Sequence, residues 1–178
     1  TAYLARPCQY VGAQSRGCAA AFWTNMRFAP QVIAAMDEAV TVLKSKAGAT
    51  KLRLVGYSGG GVVAALVAAR RPDVAELITI AAPMDVSAFT AHHGVSDLTG
   101  SLNPVADATA LAAIPQVHFV GAQDSVVPPS IVESYLRALP SSSCARLHVF
   151  PSASHIKGWM AQTHTLQTAV DPCTPGAA

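Results

Sequence analysis

The sequence predicts an α/β fold of three layers, with a mostly parallel sheet and helices on both of its faces. Short apolar runs alternate with longer runs of helical periodicity, and this alternation is typical of βα units with parallel strands. Hydrophobic residues make up 51% of the 178 residues and charged residues only 12%, so a large core is expected. Because neither an internal repeat nor a linker is visible, we expect residues 1–178 to form one domain.

Strands are predicted where compact apolar runs are bounded by glycine, proline or polar residues. They are Ala2–Arg6, Leu52–Tyr57, Leu77–Ala81, Val117–Val120 and Arg146–Phe150. Helices are predicted where apolar residues recur at helical spacing or where proline ends the run. They are Gln31–Lys46, Gly61–Arg71 and Ser130–Leu139, followed by a loop from His155 into a final helix up to Val170. The polar segment Pro83–Pro104 is expected to be irregular.

The pentapeptide Gly56-Tyr57-Ser58-Gly59-Gly60 is the most informative motif of the chain. It has the pattern G-x-S-x-G and stands between a predicted strand and a predicted helix. Such a sharp turn is the nucleophile elbow, which presents a serine hydroxyl at a strained corner. Gly56 and Gly60 are expected to leave space where the strand and the helix pass closely. We therefore predict that Ser58 is a nucleophile.

A nucleophilic serine needs a base, and the base needs a carboxylate that orients it. Functional groups of an open parallel sheet collect just beyond the carboxyl ends of its strands. Asp124 follows the strand Val117–Val120, and His155 follows the strand Arg146–Phe150. The chain order of serine, aspartate and histidine is that of elbow-type hydrolases. We predict that His155 is the general base for Ser58 and that Asp124 orients it.

Other acidic and basic residues stay open as alternatives at this point. Asp85 also follows a strand and could replace Asp124 as the acid, although an N-cap or a surface carboxylate is its simpler role. His92 and His93 are expected to line or cover the cleft. The remaining histidines have other predicted positions, His118 and His148 inside strands and His164 on the last helix. No convincing metal-ligand spacing occurs, so neither a metal nor another cofactor is expected.

Four cysteines bear on the compartment in which the protein works. Cys8 and Cys18 bracket a short loop, while Cys144 and Cys173 bracket the C-terminal segment. The even number and the local pairing predict two disulfide bonds, Cys8–Cys18 and Cys144–Cys173, and hence a periplasmic or secreted protein. Four reduced cysteines in a cytoplasmic core are the alternative.

Charge and hydropathy exclude several classes of partner. The net charge of +2 produces neither a basic stripe nor an acidic tail, so nucleic acid and membrane surfaces are not expected partners. No apolar run reaches the roughly 18 residues that a membrane helix needs. The first residues also lack the basic and apolar layout of a signal peptide, which a mature chain would no longer contain.

Three blocks of sequence carry a resemblance to a known superfamily. They are LRLVGYSGG at 52–60, VGAQDSVVP at 120–128 and PSASH at 151–155. With the βα order between them, they resemble the α/β-hydrolase superfamily, in particular bacterial serine esterases and lipases. The resemblance implies a Ser58–His155–Asp124 triad that forms an acyl-serine intermediate with a small ester or related acyl substrate. It also implies that the N–H of Gly59 is one donor of the oxyanion hole.

The resemblance is incomplete before the elbow. Relatives usually have several strands there, and a loop with an H-G type sequence after one of them supplies a second oxyanion donor. Here His93-Gly94 comes after the elbow and cannot supply it. We expect the chain to be about the C-terminal two-thirds of such a domain, with an exposed sheet edge and with Ala2–Arg6 beside the elbow strand. No second backbone donor is expected from Arg6 to Val11.

Two further functions stay open from the sequence. The fold can be kept as a non-catalytic binding or structural module whose oxyanion site is incomplete. The same triad can also serve a thioesterase or an acyltransferase. Covalent labelling of Ser58 distinguishes an enzyme from a binding module, and a panel of esters, thioesters and amides distinguishes the chemistries.

Overall fold

The computed structural model describes residues 1–9 and 17–167 of the chain. Its centre is a sheet of four parallel strands, which lie side by side in their order along the chain. The strands are β1 (Leu52–Tyr57), β2 (Val74–Ile80), β3 (Gln116–Gly121) and β4 (Ala145–Phe150). Four of the five predicted strands and the predicted α/β class are confirmed.

Helices connect the strands and cover the sheet. The α-helices of the described residues are α1 (Pro30–Lys46), α2 (Gly59–Ala68), α3 (Val86–His92), α4 (Ala108–Leu111), α5 (Pro129–Ala138) and α6 (Thr163–Gln167). Short 3-10 helices occur at Ala20–Trp23, Pro104–Asp107 and Met160–Gln162. Both α1 and α5 begin with a proline, whose fixed φ suits the first helical position. None of these helices has the length and apolar character of a membrane span.

Apolar residues on both faces of the sheet form the core. Leu77 of β2 packs with residues of α2 and α5 on one face. The next residue, Ile78, belongs to a cluster against which Trp159 and Leu166 pack. Since adjacent residues of a strand point to opposite faces, the chain covers the sheet from both sides. This arrangement is the three-layer order that the sequence predicts.

The predicted strand Ala2–Arg6 is wrong. Residues 1–6 have no regular secondary structure and are mostly exposed, and they do not pair with β1. The segment is held instead by the side chain of Arg6, which donates a hydrogen bond to the carbonyl oxygen of Arg27 at 2.8 Å. Its guanidinium also lies over the ring of Phe28, 5.6 Å from the centroid. Side-chain contacts, and not backbone hydrogen bonds to a neighbouring strand, thus hold this segment.

Pro83–Pro104 is not wholly irregular, in contrast to the prediction, because it contains α3. The carboxylate of Asp85 accepts a hydrogen bond from the N–H of Ala88 and so caps the start of this helix. Val86 and Thr90, four residues apart, are its buried positions. The many serine, threonine and histidine residues of the segment hide this short periodicity in the sequence.

One edge of the sheet is exposed in the part of the chain that the structure describes. β1 is the outer strand, and its residues Val55 and Tyr57 are 57% and 43% exposed. The exposed edge agrees with the expectation of an incomplete sheet. An unpaired strand edge with apolar side chains favours association with another strand.

A network of ion pairs ties α1 to the turn before β2. The carboxylate of Asp73 accepts hydrogen bonds from Arg71 at 2.9 and 2.7 Å and from Lys44 at 2.6 Å. Arg71 also reaches Asp37 of α1 at 2.6 Å. The hydrogen bonds from Arg71, and then those from Lys44, lower the pKa of Asp73 far below its ordinary value.

We expect Asp73→Asn to lower the free energy of unfolding at neutral pH by about 1 kcal/mol. Because the carboxyl pKa is depressed in the folded state, its contribution is complete above the ordinary carboxyl pKa and is lost as the pH falls below it. The difference from wild type should therefore shrink between roughly pH 5 and pH 3. Urea denaturation over this range tests it, with Asp107→Asn in the more exposed pair with Arg70 as the control. A difference that does not depend on pH would contradict this explanation.

Candidate active site

Ser58 lies in the sharp turn between β1 and α2. Its φ of 50° and ψ of −128° are unfavourable for a residue that has a Cβ. The turn is held on both sides, because Ser58 N–H donates to the carbonyl oxygen of Ile80 at 2.8 Å and Gly61 N–H donates to that of Ser58 at 2.9 Å. The hydroxyl is thus presented at the carboxyl end of β1, in the geometry that the elbow pattern predicts.

Close contact between β1 and α2 explains the glycines around the turn. A Cβ at Gly56 would lie 2.3 Å from the carbonyl oxygen of Gly60 and 2.5 Å from the Cα of Gly61. A Cβ at Gly61 would lie 3.1 Å from the carbonyl oxygen of Gly56 in β1 and 2.4 Å from the Cβ of Ala82, just after β2. The prediction that Gly60 serves this approach is wrong, since a Cβ there would meet no atom of the described residues within 4 Å. Gly60 is exposed on the helix, and Gly61 has the role instead.

The three predicted side chains lie together beyond the carboxyl ends of β1, β3 and β4. His155 Nε2 is 3.1 Å from Ser58 Oγ, and His155 Nδ1 is 2.9 Å from Asp124 Oδ2. The other carboxylate oxygen, Oδ1, accepts hydrogen bonds from the N–H groups of Val126 at 2.8 Å and Val127 at 2.7 Å. These two backbone donors fix the buried carboxylate so that Oδ2 faces the imidazole.

The main chain of His155 is fixed by two hydrogen bonds. Its carbonyl oxygen accepts hydrogen bonds from Tyr57 Oη at 2.6 Å and from Trp159 Nε1 at 2.9 Å. Partial burial, and then the negative charge of Asp124, raise the pKa of Tyr57, so its hydroxyl donates at neutral pH. Sequence reasoning missed this contact, because Tyr57 is a free position of the G-x-S-x-G pattern and no local signal relates it to the histidine loop.

Tyr57→Phe should lower kcat by about 3- to 10-fold, the range for one lost hydrogen bond, while Trp159 keeps the second donor. The free energy of unfolding should fall by no more than about 1 kcal/mol. Steady-state kinetics on an activated ester and urea denaturation measure the two effects. Tyr3→Phe is the matched control, because the side chain of Tyr3 is 98% exposed. An unchanged kcat in Tyr57→Phe would show that this hydrogen bond does not position His155.

Asp85 has the simpler of the two roles considered for it. Besides capping α3, its carboxylate accepts hydrogen bonds from Ser134 Oγ at 2.6 Å and Asn103 Nδ2 at 3.3 Å. Burial acts to raise the pKa of Asp85, but these hydrogen bonds, with those from the backbone, lower it overall. The imidazole of His155 contacts Asp124 instead. The alternative in which Asp85 orients the base is therefore not the arrangement found.

The other histidines lie apart from this contact series. His118 is buried in β3 with Nδ1 2.7 Å from Thr79 Oγ1, and burial lowers its pKa to about 3. His93 Nε2 is 2.8 Å from the carbonyl oxygen of Val126. The remaining ones are His92 at the end of α3, His148 in β4 and His164 in α6. His92 and His93 are not among the described lining residues of the cleft, but His93 contacts two that are, Phe89 and Val126. That the two histidines line or cover the cleft therefore stays a prediction.

A cleft of about 200 Å³ opens beside the serine. The described residues that line it are Ser58, Gly59, Arg6, Arg27, Phe28, Pro83, Val86, Phe89, Leu98 and Val126. Gly59 begins α2, and N–H groups of a first helical turn have no acceptor within the helix. Its N–H therefore suits the predicted oxyanion donor. The predicted lack of a second donor extends to Tyr10 and Val11, which lie outside the described residues, and it stays a prediction.

One of the two predicted disulfide bonds is confirmed. Cys8 and Cys18 are joined, with an S–S distance of 2.04 Å. The predicted partner of Cys144 is Cys173, which lies outside the described residues, so that pairing stays a prediction. A disulfide bond is typical of proteins in oxidising compartments.

Comparison with known proteins rests on solved structures, since no protein-family model and no curated protein matches the chain. An esterase from Pyrococcus furiosus is similar with a TM-score of 0.61 and 14% identity, over 79% of this chain and 62% of that one. A protein described as a dienelactone hydrolase from Klebsiella pneumoniae is similar with a TM-score of 0.58 and 23% identity, over 78% of this chain and 61% of that one. An α/β-hydrolase enzyme from a lagoon-sediment metagenome is similar with a TM-score of 0.54 and 20% identity, over 76% of this chain and 64% of that one.

These similarities show that the chain has the α/β-hydrolase fold. The chain spans 62% and 61% of the length of the first two proteins. At identities between 14% and 23%, the likeness concerns the arrangement of strands and helices. The reaction has to be inferred from the side chains in the cleft.

Proposed function

We propose that the protein is a serine hydrolase that cleaves a carboxylic ester through an acyl-serine intermediate. The observation that carries the proposal is the continuous contact series from Ser58 Oγ through the His155 ring to Asp124, with distances of 3.1 and 2.9 Å. Both distances are within hydrogen-bond reach, as nucleophile, base and orienting acid require. The esterase and hydrolase neighbours, which share the fold, support the same reaction class.

Each group has a defined part in the proposed reaction. Ser58 Oγ attacks the ester carbonyl carbon while its proton passes to His155 Nε2, and the carbonyl oxygen becomes an oxyanion. The oxyanion collapses, the bond to the alcohol oxygen breaks, and His155 returns the proton to the departing alcohol. A water molecule then attacks the acyl-serine carbonyl and gives its proton to His155. The acid is released, and Ser58 regains its proton.

Charge stabilisation comes from groups that are held in place before the reaction. Asp124, fixed by two backbone N–H groups, favours the proton on His155 Nδ1 and stabilises the imidazolium that forms. The proposed donor to the oxyanion is the N–H of Gly59, the first residue of α2, because such donors stabilise an oxyanion strongly. The strained backbone of Ser58 is consistent with this arrangement, because strain of that kind is concentrated at functional sites.

Rapid mixing with an ester, a thioester and an amide of the same short acyl group tests the proposal. The ester should give a burst of alcohol approaching one equivalent per protein, followed by slower turnover, because the acyl-serine forms before it is hydrolysed. Faster acylation by the thioester would identify a thioesterase, and transfer of the acyl group to an added alcohol in place of water an acyltransferase. No turnover of any of the three would favour a non-catalytic module.

A further inference from the structure

Two arginines line the cleft that contains Ser58. Arg6 and Arg27 belong to its walls, and none of its described lining residues is an aspartate or a glutamate. Both arginines are partly buried, and a guanidinium keeps its charge at any ordinary pH. Partial removal of a charge from water is unfavourable unless an opposite charge compensates it. The cleft therefore has the electrostatic character of an anion site.

The hydrogen bond found at the Arg27 side chain leaves its positive charge in place. Arg27 Nε donates to the carbonyl oxygen of Thr24 at 2.9 Å, and Arg6 Nη1 donates to the carbonyl oxygen of Arg27 at 2.8 Å. The acceptor of the Arg27 hydrogen bond is a neutral carbonyl oxygen, so this contact orients the Arg27 guanidinium without neutralising it. Arg27 forms no ion pair with any residue that the structure describes. Its terminal nitrogens are thus the better candidates for a ligand.

The rest of the cleft restricts what such an anion can be attached to. Six of the lining residues are apolar: Phe28, Pro83, Val86, Phe89, Leu98 and Val126. They suit a hydrocarbon segment, and a volume of about 200 Å³ suits a short one. The ligand that matches the cleft thus has an anion for the arginines, a short apolar linker and an ester at Ser58.

We propose that this cleft selects small esters that carry a free carboxylate, which Arg27, assisted by Arg6, binds while the ester carbonyl faces Ser58. The inference rests on the proposed hydrolase function and specifies its substrate class. A guanidinium matches a carboxylate with two parallel hydrogen bonds, and a neutral ester of the same shape cannot form them. The carboxylate can belong to the acyl or to the alcohol part of the ester.

Two pairs of esters test the selection and distinguish the two sources of the carboxylate. On the acyl side, the para-nitrophenyl monoester of glutaric acid is compared with para-nitrophenyl pentanoate. On the alcohol side, para-acetoxybenzoate is compared with para-tolyl acetate. In wild type, kcat/KM for the anionic member of at least one pair should exceed that of its neutral partner by about 10- to 100-fold, the range that a hydrogen bond to a charged group gives. The preference should appear mainly in KM and should weaken with salt.

Arg27→Gln should reduce this ratio of anionic to neutral kcat/KM by about 10-fold or more, while Arg27→Lys keeps part of it. Arg137→Gln is the matched control, because it removes one positive charge from the exposed side of α5. Equal rates for both members of both pairs in wild type would overturn the inference. A fall of both rates in Arg27→Gln at a constant ratio would overturn it too, because Arg27 would then act on the reacting group or on the fold.

A binding measurement separates this inference from the proposed function. The probe is monomethyl glutarate, titrated into Ser58→Ala by calorimetry. Its Kd should rise by about 10-fold or more when Arg27→Gln is added. Such binding, with no hydrolysis of any of the four esters by wild type, would support the carboxylate site and contradict the proposed hydrolase function. Hydrolysis of neutral esters without this binding would contradict the carboxylate site and leave the hydrolase in place.

Discussion

Asp124→Asn is expected to lower kcat by about 10⁴-fold without unfolding the protein. The expectation follows from the two backbone donors, Val126 N–H and Val127 N–H, which both point at Oδ1. In the variant the amide oxygen has to stay at these donors, so the amide nitrogen faces His155. That nitrogen donates to Nδ1, and the remaining ring proton moves to Nε2. A ring protonated at Nε2 cannot accept the proton of Ser58.

Steady-state kinetics on an activated ester measure this loss, and far-UV circular dichroism checks that the fold is kept. Asp85→Asn is the matched control, because Asp85 also follows a strand but caps α3. It should reduce stability by about 1 kcal/mol and change kcat little. A larger loss of kcat in Asp85→Asn than in Asp124→Asn would reverse the assignment of the orienting acid.

Gly121→Ala should have the largest effect on stability, with a loss of about 2–3 kcal/mol. Gly121 ends β3, and a Cβ there would lie 2.2 Å from the carbonyl oxygen of Ala153 and 3.1 Å from the nitrogen of Ser154. Both are backbone atoms, so the segment before His155 has to move as a whole. A displacement of about 1 Å in a reacting group can lower the rate by about 10²-fold. We therefore expect activity and stability to fall together.

Gly60→Ala is the matched control for this change, since a Cβ at Gly60 would meet no atom within 4 Å in the part of the chain that the structure describes. Because alanine favours helix more than glycine does, α2 should be unchanged or more stable by up to about 1 kcal/mol. Urea denaturation and ester kinetics on both variants give the comparison. If Gly121→Ala were as stable and as active as Gly60→Ala, the close contact between β3 and the histidine loop would be wrong.

The strands and the contact series were predictable because their signals are local. The runs Leu52–Tyr57 and Val117–Val120 are apolar and bounded by breakers, and parallel strands place their carboxyl ends at one edge of the sheet. Candidate groups that directly follow different strands must then lie near one another. This rule brings Ser58, Asp124 and His155 together, but it also admits Asp85, which only the contact between His155 and Asp124 excludes.

The features that were missed depend on contacts between distant parts of the chain. Residues 2–6 have an apolar pattern but no strand partner among the described residues, and the side chain of Arg6 contacts Arg27 and Phe28 instead. The distinction between Gly60 and Gly61 depends on the rotation of α2 against β1. The hydrogen bond from Tyr57 to the carbonyl of His155 spans 98 positions of sequence. No periodicity or spacing encodes contacts of this kind.

The most direct test of the proposed hydrolase is covalent labelling with a fluorophosphonate probe, which reacts with activated serines. We expect one probe per protein, located by peptide mass spectrometry on Ser58, and no labelling of Ser58→Ala or of protein unfolded in urea. His155→Ala should label far more slowly, since the proton of Ser58 then has no acceptor at 3.1 Å. Labelling at another serine, or labelling that persists in Ser58→Ala, would contradict Ser58 as the nucleophile.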